Sequence, residues 1–474
     1  MSPSAKPHDP WFDVLPSELP EWPRAVFVDW ETSGLYPDEG HRISSAGVAW
    51  YESDGSITAH AWPFNQGLYG KPEIETARFG WHEERVLNGY YKNDSKATGA
   101  KAGDPKYKKM RRKLTADEAL ESNRNLPPEQ WQALIEWLSR RDLAAHNAMF
   151  EAIMSEPGLG GHAPGIDLLP NIIWCTMLGN HILDPAEEKG LKPTAVRLWG
   201  DHDEDATALI DHLKSRGLPT RRYDLADWSV IRPYLLGDVR RGVRLARLQF
   251  LRFRGHEARK TRMDEALEEM EVLVRMERRG LPYDAAESLR WAEKIEAALA
   301  EMEPTFPFKP TDHGVRQFYF TEERNERGTA CLGMKPLKMS TPSKTYPLGQ
   351  ASVDAETLER LAAMDAPYAR KFWQYRLLKE AASRYYRGYA EAIGTDGRLR
   401  TRFRQVGTKP GRISCERVNL MAIPHDHRML AAGAEILGEA PSPRALINLD
   451  RDGFEGWHMD LAQAELRVAS QYAG

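Results

Sequence analysis

The residues best suited to chemistry in this sequence are acidic, and they sit where strands give way. Asp29 closes the short apolar run Ala25–Asp29, and Glu31 follows two positions later. Residues two apart in an extended backbone point the same way, so both carboxylates lie on one side and can share one or two divalent ions. Further along, Tyr234-Leu-Leu-Gly-Asp238 opens an amphipathic helical pattern running to about Phe250. Residues four apart on a helix share a face, so the Tyr234 hydroxyl and the Asp238 carboxylate project together. His146-Asn-Ala-Met-Phe-Glu151 follows the strand-like Asp142–Ala145. A last acid, Asp460, ends the strand-like Phe454–Asp460, and helical spacing follows from Gln463 to Tyr472 with Glu465 and Arg467 in the first turn. Magnesium takes carboxylate oxygens rather than thiols or imidazoles. Two such ions about 3.5–4 Å apart can activate a water and stabilise the leaving oxygen of a phosphodiester. Taken alone, the Asp29/Glu31 pair also fits a solvated strand end.

A second kind of signal is basic. Arg398, Arg400, Arg402 and Arg404 alternate with Leu399, Thr401, Phe403 and Gln405. On one strand all four guanidinium groups would share a face about 6.6 Å apart, comparable to phosphate spacing along a nucleic-acid strand. Arg clamps phosphate with two hydrogen bonds at once. The alternative is an edge strand that carries charge against aggregation. The run Lys106-Tyr-Lys-Lys-Met-Arg-Arg-Lys113 reads either as a solvated loop or as an insertion touching a phosphate backbone.

Composition narrows the frame. A chain of 474 residues calls for two or three domains. Hydrophobic residues make up 41%, no run approaches a membrane span, and the start lacks the apolar core of a secretory signal. A soluble, cytoplasmic protein is expected (in the host cytoplasm if viral). Cys175, Cys331 and Cys415 form no CxxC pair, which excludes a zinc ribbon and a disulfide framework. The net charge of -4 does not announce nucleic acid, so any such signal must be local.

The positioning elements follow from periodicity. Strands are expected at Ala25–Asp29, Ile43–Tyr51 and Ser56–Trp62. A helix over Glu129–Arg140 puts Trp131, Leu134, Ile135 and Leu138 on one face. Another over Asp264–Arg279 ends where Gly280 sits as a C′ glycine. Tyr385, Tyr386 and Tyr389 read as packing, and Lys335–Gln350, rich in proline, as a mobile loop. Arg444–Asp450 and Phe454–Asp460 form a plausible hairpin around Arg451-Asp-Gly453.

Several of these motifs together resemble known families. Asp29-x-Glu31, His146-Asn-x-x-Phe-Glu151 and Tyr234-x-x-x-Asp238, in that order, resemble the proofreading 3′–5′ exonucleases of the DEDD class with a tyrosine. Cys175–Pro185 and Gly190-Leu-Lys192 look like that family too. The resemblance implies that Asp29, Glu31 and Asp238 hold the metals, that Tyr234 orients the attacking water, and that Glu151 stands where the family usually has Asp. Asp460-Leu-Ala-Gln-Ala-Glu-Leu-Arg resembles the first catalytic motif of the polymerase I-like, family A DNA polymerases. Met276–Asp284, Thr408-Lys-Pro-Gly-Arg412-Ile-Ser and Asn419-Leu-Met-Ala-Ile-Pro424 are similar to other stretches of that family. By that resemblance Asp460 and the Leu461 carbonyl bind catalytic Mg²⁺ or Mn²⁺, two ions per active site. Gln463 and Glu465 would then meet the incoming nucleotide, while Arg412 and Asn419 join the arginines at the primer–template.

The expected architecture is a 1–23 arm, a 24–255 ribonuclease H-like α/β exonuclease domain with an insertion at about 65–128, a mostly α thumb at 256–395, and the first β-strands of an incomplete α+β palm at 396–474. A polymerase of this type needs a second palm carboxylate and a triphosphate-binding fingers helix. Neither pattern occurs in the sequence, so polymerisation is expected to need a further C-terminal part or a second chain. The expected partners are primer–template DNA, single-stranded 3′ ends and deoxynucleoside triphosphates, and no membrane. The alternatives are a catalytically weak or silent DNA-binding subunit and a standalone 3′–5′ exonuclease with a vestigial polymerase region.

Overall fold

The computed structural model describes residues 14–64, 81–90, 105–113, 125–155, 167–453, 467 and 470, apart from 22, 36, 38–40, 127, 203, 395, 424–426 and 439–441. The chain divides into two compact units, one of Met1–Arg278 with Phe403–Ser414 and one of Arg279–Arg402 with Cys415–Gly474.

The first unit is built on a five-stranded sheet of β1 (Ala25–Thr32), β2 (Ile43–Tyr51), β3 (Ile57–Pro63), β6 (Asp142–Ala145) and β7 (Ile172–Cys175), in the order β3-β2-β1-β6-β7. Strands β1 to β3 run antiparallel, and β6 and β7 add in parallel beside β1. Strand β2 is buried at every position but its last, as expected of a central strand covered on both faces. One cover is α1 (Pro128–Leu138), whose Trp131, Leu134, Ile135 and Leu138 are all buried, the stripe expected from the sequence. Burying each such side chain contributes about 1.5–3 kcal/mol, an upper figure because the unfolded chain is itself partly collapsed.

The helix bearing Tyr234 and Asp238 is longer than its periodicity suggests. It starts six residues earlier and runs Trp228–Phe253, with Pro233 inside it. Pro233, the sixth helical residue, forfeits one intrahelical bond, to the Ser229 carbonyl, and buried Trp228 and Ile231 anchor the added residues. Smaller helices precede it: α2 (Ala148–Met154), α3 (Thr176–Leu183), α4 (Leu191–Trp199) and α5 (Glu204–Ser215). The Trp228–Phe253 helix, α6, lies close against the sheet. At Gly242 an added Cβ would sit 2.1 Å from the Phe27 ring of β1, so only a glycine lets helix and strand approach this far. Helix α7 (Glu257–Arg279) extends the expected Asp264–Arg279 helix towards its N-terminus. Its Met263, Ala266, Met270, Leu273 and Val274 join the first unit's core, although the sequence assigns this helix to the thumb. Arg278 ties it down with two 3.0 Å bonds to Asp167.

The basic run at Lys106–Lys113 is not a loop. Pro105–Lys113 forms β5, paired antiparallel with β4 (Trp81–Tyr90). The backbone hydrogen bonds of a hairpin set its conformation, a long-range pairing that composition does not show.

The second unit is mainly helical: α8 (Ala285–Met302), α9 (Asp312–Phe320), α10 (Ala355–Ala363) and α11 (Ala369–Glu380), then a π-helical stretch Ala381–Arg387 and α12 (Gly388–Glu391). Three helix starts have side-chain caps: Asp284 accepts from Glu287 N–H, Thr311 from Gly314 N–H and Asp354 from Thr357 N–H. The core is aromatic, with Phe306, Phe308, Phe318, Tyr319, Phe372 and Tyr386 all but fully buried. Tyr386 and Tyr389 belong to that core, in keeping with a packing role.

Two strand expectations fail in this unit. Arg444–Asp450 is not a strand: short 3-10 turns occupy Pro443–Leu446 and Leu449–Asp452, and only Ile447 bridges, to Tyr283. Pro443 in the first turn has its φ fixed for a helical start. Arg398–Gln405 is not one strand either. It breaks into β9 (Arg398–Leu399), pairing with β8 (Leu281–Pro282), and β10 (Arg402–Arg404), pairing with β11 (Ser414–Glu416). The helix α13 (His427–Leu437) follows. The expected strand Phe454–Asp460 lies outside the described residues.

Candidate functional site

The first unit gathers three acids from two distant stretches of chain. Asp29 and Glu31 occupy alternate positions on β1, and Asp238 comes from α6, one turn beyond Tyr234. One carboxylate oxygen from each lies within 4.8 Å of the others, close enough to share an ion. Three carboxylates are a hard oxygen donor set, which suits Mg²⁺ or Mn²⁺ and not a thiophilic metal.

The electrostatics are those of like charges forced together. Burial, with Asp238 next, pushes the Asp29 carboxyl well above its ordinary value, and Lys192 partly offsets this. Burial, then Asp29 and Asp238, does the same to Glu31, again against Lys192. Tyr234 is buried and its hydroxyl is pushed up by burial first and by Glu31 and Asp238 next, so it stays a neutral donor. Its ring meets Tyr223 edge-on at 5.4 Å.

Two cations join this site, of which the sequence named only Lys192, as part of the Gly190-Leu-Lys192 stretch and without a role. Lys192, in the first turn of α4, places its ammonium 3.3 Å from Asp238 and 3.6 Å from the centre of the Tyr234 ring. Arg241 lies 3.2 Å from Asp238 and bonds Asp201 as well. The i,i+3 spacing of Asp238 and Arg241 is a signal the sequence did offer. Nothing in the local pattern around Lys192 told which acid it would meet.

Glu151 is not in the cluster. It is buried on α2, where its carboxylate accepts from the Trp30 backbone N–H at 3.1 Å, and its own carbonyl accepts from the Trp30 indole at 3.2 Å. His146, at the end of β6, bonds Thr176 through Nδ1 at 2.8 Å.

The arginine row does not present one charged face. Arg398 pairs with Asp452 and donates to the Gly280 carbonyl. Arg400 is buried and pairs with Asp396 at 2.6 Å. Arg402 lies 4.0 Å from Glu416, and Arg404 is exposed. Arg400 and Thr401 belong to neither strand, and the four side chains meet different surroundings, so the alternation does not carry through. Arg412 is exposed, and the Asn419 side chain accepts from Ala422 N–H, capping its own turn. Asp460, Leu461, Gln463 and Glu465 lie outside the described residues.

Residues 330–474 match the DNA polymerase family A model. Over 278 residues the chain is 26% identical to the DNA polymerase of Escherichia phage T5, covering 54% of this chain and 31% of that one. It is 31% identical over 211 residues to the thermostable DNA polymerase I of Thermus aquaticus, covering 43% of this chain and 22% of the relative. With DNA polymerase I of Lactococcus lactis it shares 31% over 157 residues, 32% of this chain and 16% of the relative. The matched stretches thus span a third or less of these relatives. Among solved structures, the POL domain of Pol1 from M. smegmatis, in complex with DNA primer-template and dNTP, aligns at a TM-score of 0.55 and 15% identity. The alignment covers 95% of this chain and 59% of that one, and it establishes a shared fold. Among the described residues no helix is long and apolar enough to cross a membrane.

Proposed function

We propose that this chain is part of a family A DNA polymerase acting in DNA replication, and that its first unit is a ribonuclease H-like 3′–5′ exonuclease that proofreads. The observation that carries the nuclease reading is the cluster of Asp29, Glu31 and Asp238, the last one helical turn from buried Tyr234. The polymerase reading rests on the family match over 330–474, with primer–template DNA and deoxynucleoside triphosphates as substrates. The second unit would then comprise thumb helices and the start of a palm, completed by Asp460 and the Leu461 carbonyl as metal ligands and Gln463 with Glu465 at the nucleotide.

At the nuclease site Asp29, Glu31 and Asp238 would hold divalent ions, which supply a hydroxide nucleophile and charge compensation at a phosphate. Tyr234 keeps its proton and donates a hydrogen bond, fixing the direction of the attacking water. Lys192, beside Asp238, adds positive charge where the phosphodiester oxygens gather negative charge. Arg404 and Arg412, exposed on the 402–414 segment, would meet the DNA backbone.

The test is to incubate the protein with a 5′-end-labelled single-stranded oligonucleotide and Mg²⁺ or Mn²⁺. Stepwise shortening that Asp29→Ala abolishes is expected. Shortening that survives Asp29→Ala would remove the site from the reaction. A second reading, a DNA-binding subunit without cleavage, draws on the engagement of Glu151 with Trp30 rather than with the acids. Salt-sensitive DNA binding with no metal-dependent shortening is its signature.

A further inference from the structure

We propose that Glu151 is a positioning residue, bracing the backbone between the two β1 acids, and does not itself bind metal. The inference rests on the nuclease reading for what the brace serves, and on the fold for the brace itself. Strand β1 pairs in parallel with β6 only from Ala25↔Asp142 to Phe27↔Ala144. Its pairing with β2 on the other side continues through Glu31, with the register slipping between Glu31 and Thr32. Beyond Phe27 the β6 side of the strand therefore has no strand neighbour among the described residues, just where Asp29 and Glu31 must be held. Glu151 fills that gap. Its carboxylate takes the Trp30 N–H at 3.1 Å, and its backbone carbonyl takes the Trp30 indole N–H at 3.2 Å.

The contacts grip, by main chain and side chain, the one residue between the two acids. Both partners are deeply buried, Trp30 at 4% and Glu151 at 5% exposure. The indole also meets Trp131 of α1 edge-on at 5.6 Å, so the brace ends in the core. A shorter Asp at 151, the acid usual in the resembling exonucleases, would carry its carboxylate back along α2, away from the Trp30 N–H. The extra methylene of Glu is what lets the acid reach across to β1.

Three variants, Glu151→Gln, Glu151→Asp and Glu151→Ala, test the proposal by calorimetric titration with Mn²⁺ in the absence of DNA, with apo Tm measured alongside. Glutamine keeps an acceptor for Trp30 N–H but loses the charge. It is expected to keep the wild-type ion count and an affinity within about 3-fold. Asp and Ala release the Trp30 backbone N–H and are expected to weaken Mn²⁺ about 10-fold or more, in the range for removing a group that orients a metal ligand. An ion lost, or affinity reduced 10-fold, in Glu151→Gln would show the charge to be a ligand and overturn the proposal. So would wild-type affinity in Glu151→Ala. Should Glu151→Ala fail to fold, the Gln and Asp variants decide. If the wild type binds Mn²⁺ in this ranking yet leaves a labelled oligonucleotide intact, the nuclease reading fails and the brace stands. A wild type that binds no Mn²⁺ overturns both.

Discussion

Lys192 holds its ammonium 3.3 Å from the Asp238 carboxylate while lying 3.6 Å over the Tyr234 ring, so one cation serves the acid and the tyrosine together. Its side chain is 26% exposed, which leaves the pairing only partly screened. Lys192→Met removes the charge that eases repulsion among the three acids. Without metal, this variant should lose about 1–2 kcal/mol, a Tm drop of several degrees. Saturating Mg²⁺ should recover more of that loss than it adds to the wild type, because the ion replaces the missing charge. Thermal melts with and without MgCl₂ check it, and an unchanged apo Tm would contradict it.

Asp29→Asn should act in the opposite direction. Burial first and Asp238 next raise the Asp29 carboxyl above its ordinary value. An acid raised in the folded state binds protons more readily there than when unfolded. The metal-free protein therefore loses stability as pH rises through the raised value. Asparagine removes that penalty, so at neutral pH the apo variant should melt higher than the wild type. It should also lose most of the wild type's stabilisation by Mg²⁺ and its exonuclease activity. A variant that melts lower without metal, or still gains fully from Mg²⁺, would mean that the acids do not repel as described.

His146 makes the first unit acid-sensitive. Burial brings its pKa down from 6.5 to about 4. The unfolded chain takes up a proton near 6.5 that the folded one refuses until about 4. Stability is then full above 6.5 and falls as pH drops towards 4. Between pH 7 and pH 4.5 this group alone costs about 2 kcal/mol. Urea titrations of wild type and His146→Gln at the two pH values should show that much less acid loss in the variant. Equal losses would place the acid sensitivity elsewhere.

Local rules and long-range geometry divide what the sequence could reveal. The Asp29/Glu31 pair was legible because a strand's two-residue alternation is rigid, and Tyr234/Asp238 because a helical turn is. Their meeting was suggested only by the order of the motifs. The helix Pro128–Leu138, which ends two residues before the expected Arg140, and the C′ position of Gly280, observed at φ 61°, follow from periodicity and capping. The arginine row misled because alternation fixes a face only along an unbroken strand, and this one is interrupted between Leu399 and Arg402. Glu151 was not legible for another reason: which group its side chain reaches, here the Trp30 N–H, depends on how β1 and the helix Ala148–Met154 pack, which no local pattern states. The pairing of β4 with β5 has no local signature at all.

The four arginines, equivalent by alternation, should now separate in experiment. Arg400 is 5% exposed, pairs with Asp396, and packs its Cγ where a Cβ on Gly280 would come within 2.8 Å. Arg400→Ala strips a buried guanidinium from its carboxylate and its packing, so it should lower Tm by several degrees. Gly280→Ala should do likewise, since φ is 61° there and the new methyl meets the Arg400 stem. Arg404 is exposed, and its removal should leave Tm within about a degree. Under the polymerase reading it should instead weaken DNA binding and lower the slope of log K against log salt by about 0.7–0.9, one phosphate contact's worth. Fluorescence anisotropy with labelled primer–template across a salt series, beside thermal melts, separates the two classes. If Arg400→Ala leaves Tm intact and flattens the salt slope, Arg400 faces the DNA rather than Asp396, and the broken-strand geometry of 398–404 would have to be abandoned.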